Sequence, residues 1–311
     1  MGQWRWHEDT NLTSLWGLWA EAAAGEGQTV FQRPELAQEW LHAFAGQARP
    51  RIRFSPQLGV IVPWVEWGAR RTILGAGLFD YCDAVGTPPG EDSGAELPAP
   101  PPAADFPGLR EDSPWLAFWR RLAPDWRWPE QVAPRLMAPI GAEELDRRHP
   151  TAAERLRRAQ RGGGWGRVCD PAARAALLEW LLRQKQARMQ ALGRANVLGG
   201  QEALWLRRMV ARHARLVELW RGEMEGNLAA GFLTWAAPRV RYGYLLAFAP
   251  EFARHSPAIL LLYHVLRESM REGLEMDFLT GDQSFKLRFA DSQRRLFHPR
   301  WPAAAGRVGL D

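Results

Sequence analysis

Three residues near the end of the chain carry types and spacing that could do chemistry: Asp277, Asp282 and Lys286. Of the 40 Lys and Arg residues in this 311-residue chain, all but Lys185 and Lys286 are Arg. Arg is a planar fork with a fixed charge, whereas Lys is a point charge whose pKa moves readily. A lysine kept beside two acids and a glycine turn therefore stands apart, although a leftover surface lysine and a capped turn account for the same residues. A second constellation precedes it. His255-Ser256-Pro257 leads into a strongly apolar helical pattern, with Ser256 read as the N-cap and Pro257 as the first helical residue. A helix start just after a strand presents free N–H groups and a positive dipole end, an arrangement suited to a pyrophosphate. Arg254 adds a fixed positive charge there.

The elements that must position these groups are predicted from periodicity. Ile259, Leu262, Val265, Leu266 and Met270 predict a helix over Ala258–Glu272, closed by Gly273. Leu274–Leu279 reads as a strand, Thr280-Gly281-Asp282 as a turn with Asp282 as a helix cap, and Phe285 and Phe289 as one face of a short helix. Upstream, Asp170-Pro171 opens a long helix and a second runs over Gln201–Arg212. Leu216–Arg221, Leu228–Trp235 and Arg241–Ala249 then form an antiparallel meander. The first half shows a related order. A helix after Arg33-Pro34 leads to β-like runs at Arg51–Phe54, Gly59–Trp67 and Arg71–Leu74. Residues 87–107 are Pro-rich and read as a surface loop. The basic run Arg155, Arg157, Arg158 and Arg161 reads as a solvated helix face. The next residues, Gly162-Gly163-Gly164, read as a hinge, which places the halves at 1–161 and 162–311.

Composition bounds the function classes. The formal charge of +5 is mild for this length and suits an anionic ligand better than nucleic acid. Cys82 and Cys169 are too few for a disulfide framework, and the seven His residues lack ligand spacing, so a metal site is not expected. No signal peptide and no membrane-length apolar run is visible, and a cytoplasmic setting is expected.

The chain resembles a family over Leu228–Leu233, Tyr242–Tyr244, Phe248–Pro257 and Asp277–Lys286. These segments are similar to the C-terminal half of GNAT-fold acyltransferases of the CelD-like kind, a group associated with bacterial cellulose and exopolysaccharide loci. The family's last motif reads roughly Asp-Phe-Leu-Arg-Gly-Asp-Glu-x-Tyr-Lys. This chain keeps Asp277, Gly281, Asp282 and Lys286 and departs at Thr280, Gln283 and Phe285. Its helix start is Ser256-Pro257-Ala258, where the family has Ser-Pro-Gly. The weaker likeness at Phe31–Pro34 and Leu74–Asp83 extends the resemblance over most of residues 30–298. It implies an α+β fold of two GNAT-like halves, each a mostly antiparallel mixed sheet flanked by helices, as in the Fem peptidyltransferases.

The resemblance implies an N-acyltransferase in which an amine, an amino sugar or a polysaccharide precursor, attacks the thioester of acetyl-CoA or another acyl-CoA. Such a transfer needs a donor groove, a proton acceptor and stabilisation of the thioester oxyanion. The groove is expected at Leu246, Ala247, Phe248, Arg254, Ser256, Ala258 and Ile259. Asp277, Asp282, Lys286 and His255 are the expected catalytic set, with Glu223 a further candidate acid. If Asp277, Asp282 and Lys286 pair, the acids position and do not accept the proton. Asp80, Tyr81, Asp83 and Glu218 are the expected acceptor-side residues, and Tyr263 or His264 could protonate the leaving thiolate. A monomer suffices, because two halves can make the site. Two other readings stay open: an aminoacyl-tRNA-dependent transferase of the Fem kind, although no sustained heptads for its helical arm are seen, and a degenerate GNAT pair that only binds.

Overall fold

The computed structural model describes residues 7–9, 12–68, 70–90, 104–122, 125–137 and 140–301. Most of the Pro-rich loop, residues 91–103, lies outside them. Contacts divide the chain into two units. The first comprises residues 1–132 and 294–311, the second residues 133–293. This division differs from the expected one at 161/162. The glycine triplet lies inside the second unit, where it packs on a neighbouring strand: a Cβ on Gly163 would come within 1.9 Å of the Glu223 carbonyl oxygen. Close backbone approach is what Gly163 serves, whereas a Cβ on Gly162 would meet open space.

The first unit opens with strand β1 (His7–Asp9) and helices α1 (Leu15–Ala23) and α2 (Pro34–Ala43). Pro34 at the first helical position starts α2 without losing a hydrogen bond. Strands β2 (Ala48–Ser55), β3 (Val60–Trp67) and β4 (Arg70–Ile73) form an antiparallel meander. The short β5 (Ala104–Asp105) pairs parallel to β4, and β6 (Leu109–Arg110) and α3 (Leu116–Leu122) come next. Trp19, Trp40, Trp64, Trp115 and Trp119 are fully buried here. Each such ring removes a large apolar area from water and finds tilted or edge-on neighbours, as between Trp64 and Phe106 at 5.9 Å. These five Trp residues are thus core.

Strand β7 (Asp125–Leu136) leads into the second unit, where α4 (Ala142–Arg148) and α5 (Pro150–Arg161) are broken by Pro150, as the sequence predicts. Strand β8 (Trp165–Arg167), α6 (Pro171–Ala191) and α7 (Gln201–Arg212) come next. Asp170 caps α6 by accepting from the Ala173 N–H at 2.7 Å. Then β9 (Val217–Met224), β10 (Asn227–Ala236) and β11 (Val240–Phe248) make the antiparallel meander. Helix α8 (Pro257–Arg271) crosses to β12 (Glu275–Asp277), which pairs parallel to β11 and, on its other edge, antiparallel to residues 135–136 of β7. A short α9 (Ser284–Leu287) closes the unit, and β13 (Ser292–Arg300) returns to the first, where it pairs with β5 and β6. Helix α8 is the core element: Leu260, Leu261, Leu262, Tyr263, Val265 and Leu266 are all buried.

The two units share one order: an antiparallel three-strand meander, a crossover, then a parallel strand. In the second unit the crossover is α8. Among the described residues of the first, no helix lies between β4 and β5.

One buried acid of the first unit titrates usefully. Asp83 accepts hydrogen bonds from Ser113 Oγ, from the Ala84 N–H at 2.8 Å and from Trp119 Nε1 at 3.4 Å. Burial nevertheless pushes its carboxyl up to about 6. The folded pKa is raised, so the folded state holds the proton over a window in which the unfolded chain has released it. The contribution of Asp83 to stability is highest below about pH 4 and falls as pH rises to about 6, by roughly 3 kcal/mol. Urea unfolding of wild type and Asp83→Asn across this window should show that slope in the wild type alone; equal slopes contradict the assignment.

Candidate active site

The second unit is organised around a divergence of two strands. β11 and β12 pair in parallel at only three positions, Val240–Glu275, Arg241–Met276 and Tyr242–Asp277. Beyond Tyr242, β11 continues to Phe248, while the chain after Asp277 turns away. Pairing of β11 with β10 continues to Phe248 on the other side, with one irregularity: Leu233 faces Leu245 and Thr234 faces Gly243, so Tyr244 is an extra residue. A bulge of this kind bends the strand and re-aims its backbone groups. The sheet therefore offers one edge, residues 243–248, that β12 does not cover. It runs toward the start of α8.

Side chains of that edge do not point into the opening as a set. Leu246 and Phe248 pack on the core beneath α8, and Ala247 is buried at 8% exposure. What these expected donor residues can offer is main-chain N–H and C=O. Tyr244 stands on the opposite face, with its ring 5.3 Å from Trp235 and 6.2 Å from Trp205 of α7.

The closed end of the divergence is pinned by a guanidinium. Arg241 is 0% exposed. Its Nε donates to Glu218 Oε2 at 2.5 Å, one terminal nitrogen to Ser269 Oγ at 2.7 Å, and the other to Glu272 Oε2 at 2.7 Å. Glu218 also accepts from Arg167 at 3.0 Å and from Thr234 Oγ1 at 3.2 Å. Burial alone would raise the Glu218 carboxyl, but Arg241 and then Arg167 hold it below the ordinary carboxylate range. A carboxylate so held is a poor proton acceptor. Glu218, expected beside the acceptor, is a structural member of this network.

The turn after β12 is also built differently from expectation. Asp277 is 0% exposed, and its Oδ1 accepts from the Leu279 N–H at 2.8 Å, with Arg135 Nε 4.0 Å from its other oxygen. Leu279 adopts φ +59°, a left-handed conformation that costs a non-glycine residue on the order of 1 kcal/mol and that this cap offsets. Lys286 Nζ donates to Thr280 O at 2.7 Å and Leu279 O at 3.4 Å. Lys286 thus braces the turn's carbonyls. Asp282 is exposed, and the N-cap of α9 is Gln283, so Asp282 is not the cap.

At the other end of α8, Ser256 occupies the N-cap position with φ +54° and makes no side-chain cap. Its carbonyl accepts from Ile259 N at 3.0 Å and Leu260 N at 3.2 Å. Pro257 has no N–H and Ser256 already takes the Ile259 N–H, so of the usual free donors of a helix start the Ala258 N–H is the one left. Arg254 is exposed and donates to His255 Nε2 at 2.9 Å.

Beside this helix start opens a cleft of about 410 Å³. Arg155, Arg158, Ala159 and Gly162 of α5 and its end line one wall, with Met224, Glu225, His255 and Leu260 around them. Arg155 donates to the His255 carbonyl at 2.8 Å. The basic run is exposed along its length, as expected of a solvated face, and two of its members, Arg155 and Arg158, also border the cleft; Arg158 donates to Glu154 at 2.8 Å. Positions 155, 158, 159 and 162 fall at i, i+3, i+4 and i+7, which puts two arginines and two small residues on one side of the helix. That spacing was the available signal. Arg241 had none: one Arg among many in a β-like run does not announce its burial.

The remaining candidates sit elsewhere. His264 is buried, and burial lowers its pKa, so the ring is neutral at pH 7. Tyr263 donates to Asp146 at 2.7 Å, and burial and then Asp146 raise its pKa, which makes it a tight donor to a structural acid. Glu223 holds Arg221 at 3.2 Å. In the first unit, Tyr81 is 0% exposed under the Arg294 guanidinium, 5.3 Å from its ring centre. Asp83 is committed to Ser113, Ala84 and Trp119, and Asp80 is partly exposed. Among the described residues no group of His, Cys, Asp and Glu is placed to hold a metal.

Residues 147–287 match the family model of the acetyltransferase (GNAT) domain. This segment carries the diverging strands, α8 and the basic cleft. No curated protein matches the chain. Among solved structures it is similar to FemX, at TM-score 0.59 and 11% identity, over 94% of this chain and 96% of that one. It is also similar to a tandem GNAT protein of the clavulanic acid biosynthesis pathway, at TM-score 0.52 and 14% identity, over 96% and 98%. L-PGS from Bacillus licheniformis gives TM-score 0.53 and 13% identity, over 86% and 91%. At these identities the likeness is one of fold, and the fold is α+β of the tandem GNAT kind.

The Arg241 network gives a direct test. Arg241→Met leaves the buried Glu218 with the Thr234 hydroxyl and one half-exposed cation, Arg167, and should cost about 3–5 kcal/mol in urea unfolding. Adding Glu218→Leu should recover part of that. A loss under about 1 kcal/mol would mean that the network does not hold the strands.

Proposed function

We propose that the second unit transfers an acyl group from an acyl-CoA thioester to an amine. The observation that carries this reading is the uncovered edge of β11, residues 243–248, running from a bulge to the start of α8. An extended amide-bearing chain such as pantetheine can add to that edge as a further strand, exchanging main-chain hydrogen bonds without side-chain signatures. Its diphosphate then reaches the helix start, where the Ala258 N–H and the arginines beside the cleft favour negative charge.

In this reading the thioester carbonyl lies at the bulge. The amine nitrogen bonds to the carbonyl carbon, and the developing oxyanion is stabilised by main-chain N–H of β11. The carbon–sulfur bond then breaks, the thiolate leaves with the electron pair, and the nitrogen gives up one proton. Asp277 and Glu218 are held in structural contacts. Of the expected acids and bases, Asp282 is exposed, and His255 lines the cleft with its Nε2 taken by Arg254. An amino sugar is the acceptor suggested by the resemblance to CelD-like sequences.

A second reading, transfer of an aminoacyl group from charged tRNA, draws on the basic cleft wall and on the fold likeness to FemX. One experiment separates the two. Calorimetry with acetyl-CoA, beside a shift assay with charged tRNA, should show acetyl-CoA binding. Arg155→Ala with Arg158→Ala should weaken it about tenfold or more, at about 1.5–3 kcal/mol per charge-assisted hydrogen bond. Thioester release on addition of glucosamine would then report turnover. No heat with acetyl-CoA and a clear shift with charged tRNA would replace the first reading by the second.

A further inference from the structure

Away from the diverging strands and the cleft, one corner of the second unit combines exposed apolar and basic groups. It is the connection between α6 and α7. Among the described residues four large apolar side chains stand well out in solvent, and three are here: Leu192 at 51%, Val197 at 60% and Leu204 at 40% exposure. Scattered single exposed apolar residues need no explanation, but three on one corner do.

The corner is held in shape. Leu198 is buried beneath it and donates its N–H to Asn196 Oδ1 at 3.2 Å. Arg194 N–H reaches Met189 O at 2.9 Å, and Leu204 N–H reaches Gly200 O at 3.2 Å. Built contacts thus keep Val197 and Leu204 outward. The charge is one-sided as well. Between residues 183 and 204 stand Arg183, Lys185, Arg188 and Arg194, against Glu202 as the sole acid. Arg183, Arg188 and Arg194 are exposed. Lys185, Arg188 and Leu192 fall at i, i+3 and i+7, a single stripe along the end of α6. The other lysine of the chain therefore lies on this stripe, where burial and then Arg188 lower its pKa.

We propose that this corner docks the protein on an anionic lipid bilayer surface. Leu192, Val197 and Leu204 enter the boundary between headgroups and acyl chains, and Arg188, Arg194 and Lys185 meet lipid phosphates. Charge complementarity selects this occupant. A bilayer rewards aliphatic groups and cations side by side without directional partners. A nucleic acid would leave the aliphatic groups in water. A stable protein interface draws on aromatic anchors over roughly 800 Å² per partner, and the exposed apolar groups of this corner are aliphatic. No helix among the described residues is long and apolar enough to cross a membrane, so the contact is peripheral. Docking of this kind is independent of the acyl-transfer reading.

The test is flotation of the full chain with vesicles of phosphatidylcholine carrying about one-third phosphatidylglycerol, beside vesicles of phosphatidylcholine alone. The wild type should float with the anionic vesicles and lose most of that binding at high salt. Arg188→Gln with Arg194→Gln should weaken it about fivefold per charge at low salt. Val197→Ser with Leu204→Ser should weaken it at least about tenfold while leaving the thermal midpoint unchanged, since both side chains are exposed. Absence of flotation, equal flotation with neutral vesicles, or full binding by both double variants would overturn the proposal. So would tight binding to a short RNA duplex that only the arginine variant loses, which would mark the corner as a nucleic-acid surface.

Discussion

A buried guanidinium sets the geometry of the second unit. Arg241 lies at the last stretch where β11 and β12 run together, and it reaches β9 through Glu218 and the end of α8 through Ser269 and Glu272. A charge at zero exposure is tolerated only when its donors are taken up by well-placed acceptors, since desolvating an unpaired ion costs several kcal/mol. The network is therefore all or nothing. Satisfied, it fixes where the strands part and how α8 lies over them. Asp277 and Lys286 extend the same logic past the strand end, where one caps the left-handed Leu279 and the other holds the carbonyls of Leu279 and Thr280.

The first unit repeats the strand order without the device. Its meander β2–β3–β4 leads to a parallel strand, β5, but no helix is described in the crossover. Its conspicuous polar residues face inward: Tyr81 beneath arginines, Asp83 on Ser113 and Trp119. Main-chain donors at a strand edge and at a helix start coincide in the second unit, the part that matches the GNAT domain model.

The sequence was most readable where one physical signal decides local structure. Helical periodicity with Pro at the first turn placed α6 and α8 nearly to the residue, periodicity alone placed α7, and strand-like composition placed β9, β10 and β11. Misreadings came where partners are distant in sequence. Glu218 looked like an available acid because Arg241, 23 residues on, had no mark of burial. Ser256 and Asp282 have good capping side chains, yet the backbone takes αL geometry at one and starts its helix a residue late at the other. The basic run of α5 is the solvated face it looked like, but the cleft beside it was not legible, because the neighbour across it, His255, is 100 residues away from Arg155. The strand edge itself was only partly visible: a groove built from main-chain groups leaves a trace in strand order but none in residue type.

The role given to the uncovered strand edge is open to amide hydrogen exchange with and without acetyl-CoA. Residues 243–248 and the amides at the start of α8 should gain protection together on binding, while the Arg241 network stays unchanged. Protection that rises elsewhere, with these two segments unaffected by bound acetyl-CoA, would contradict the claim that the uncovered edge of β11 holds the acyl donor.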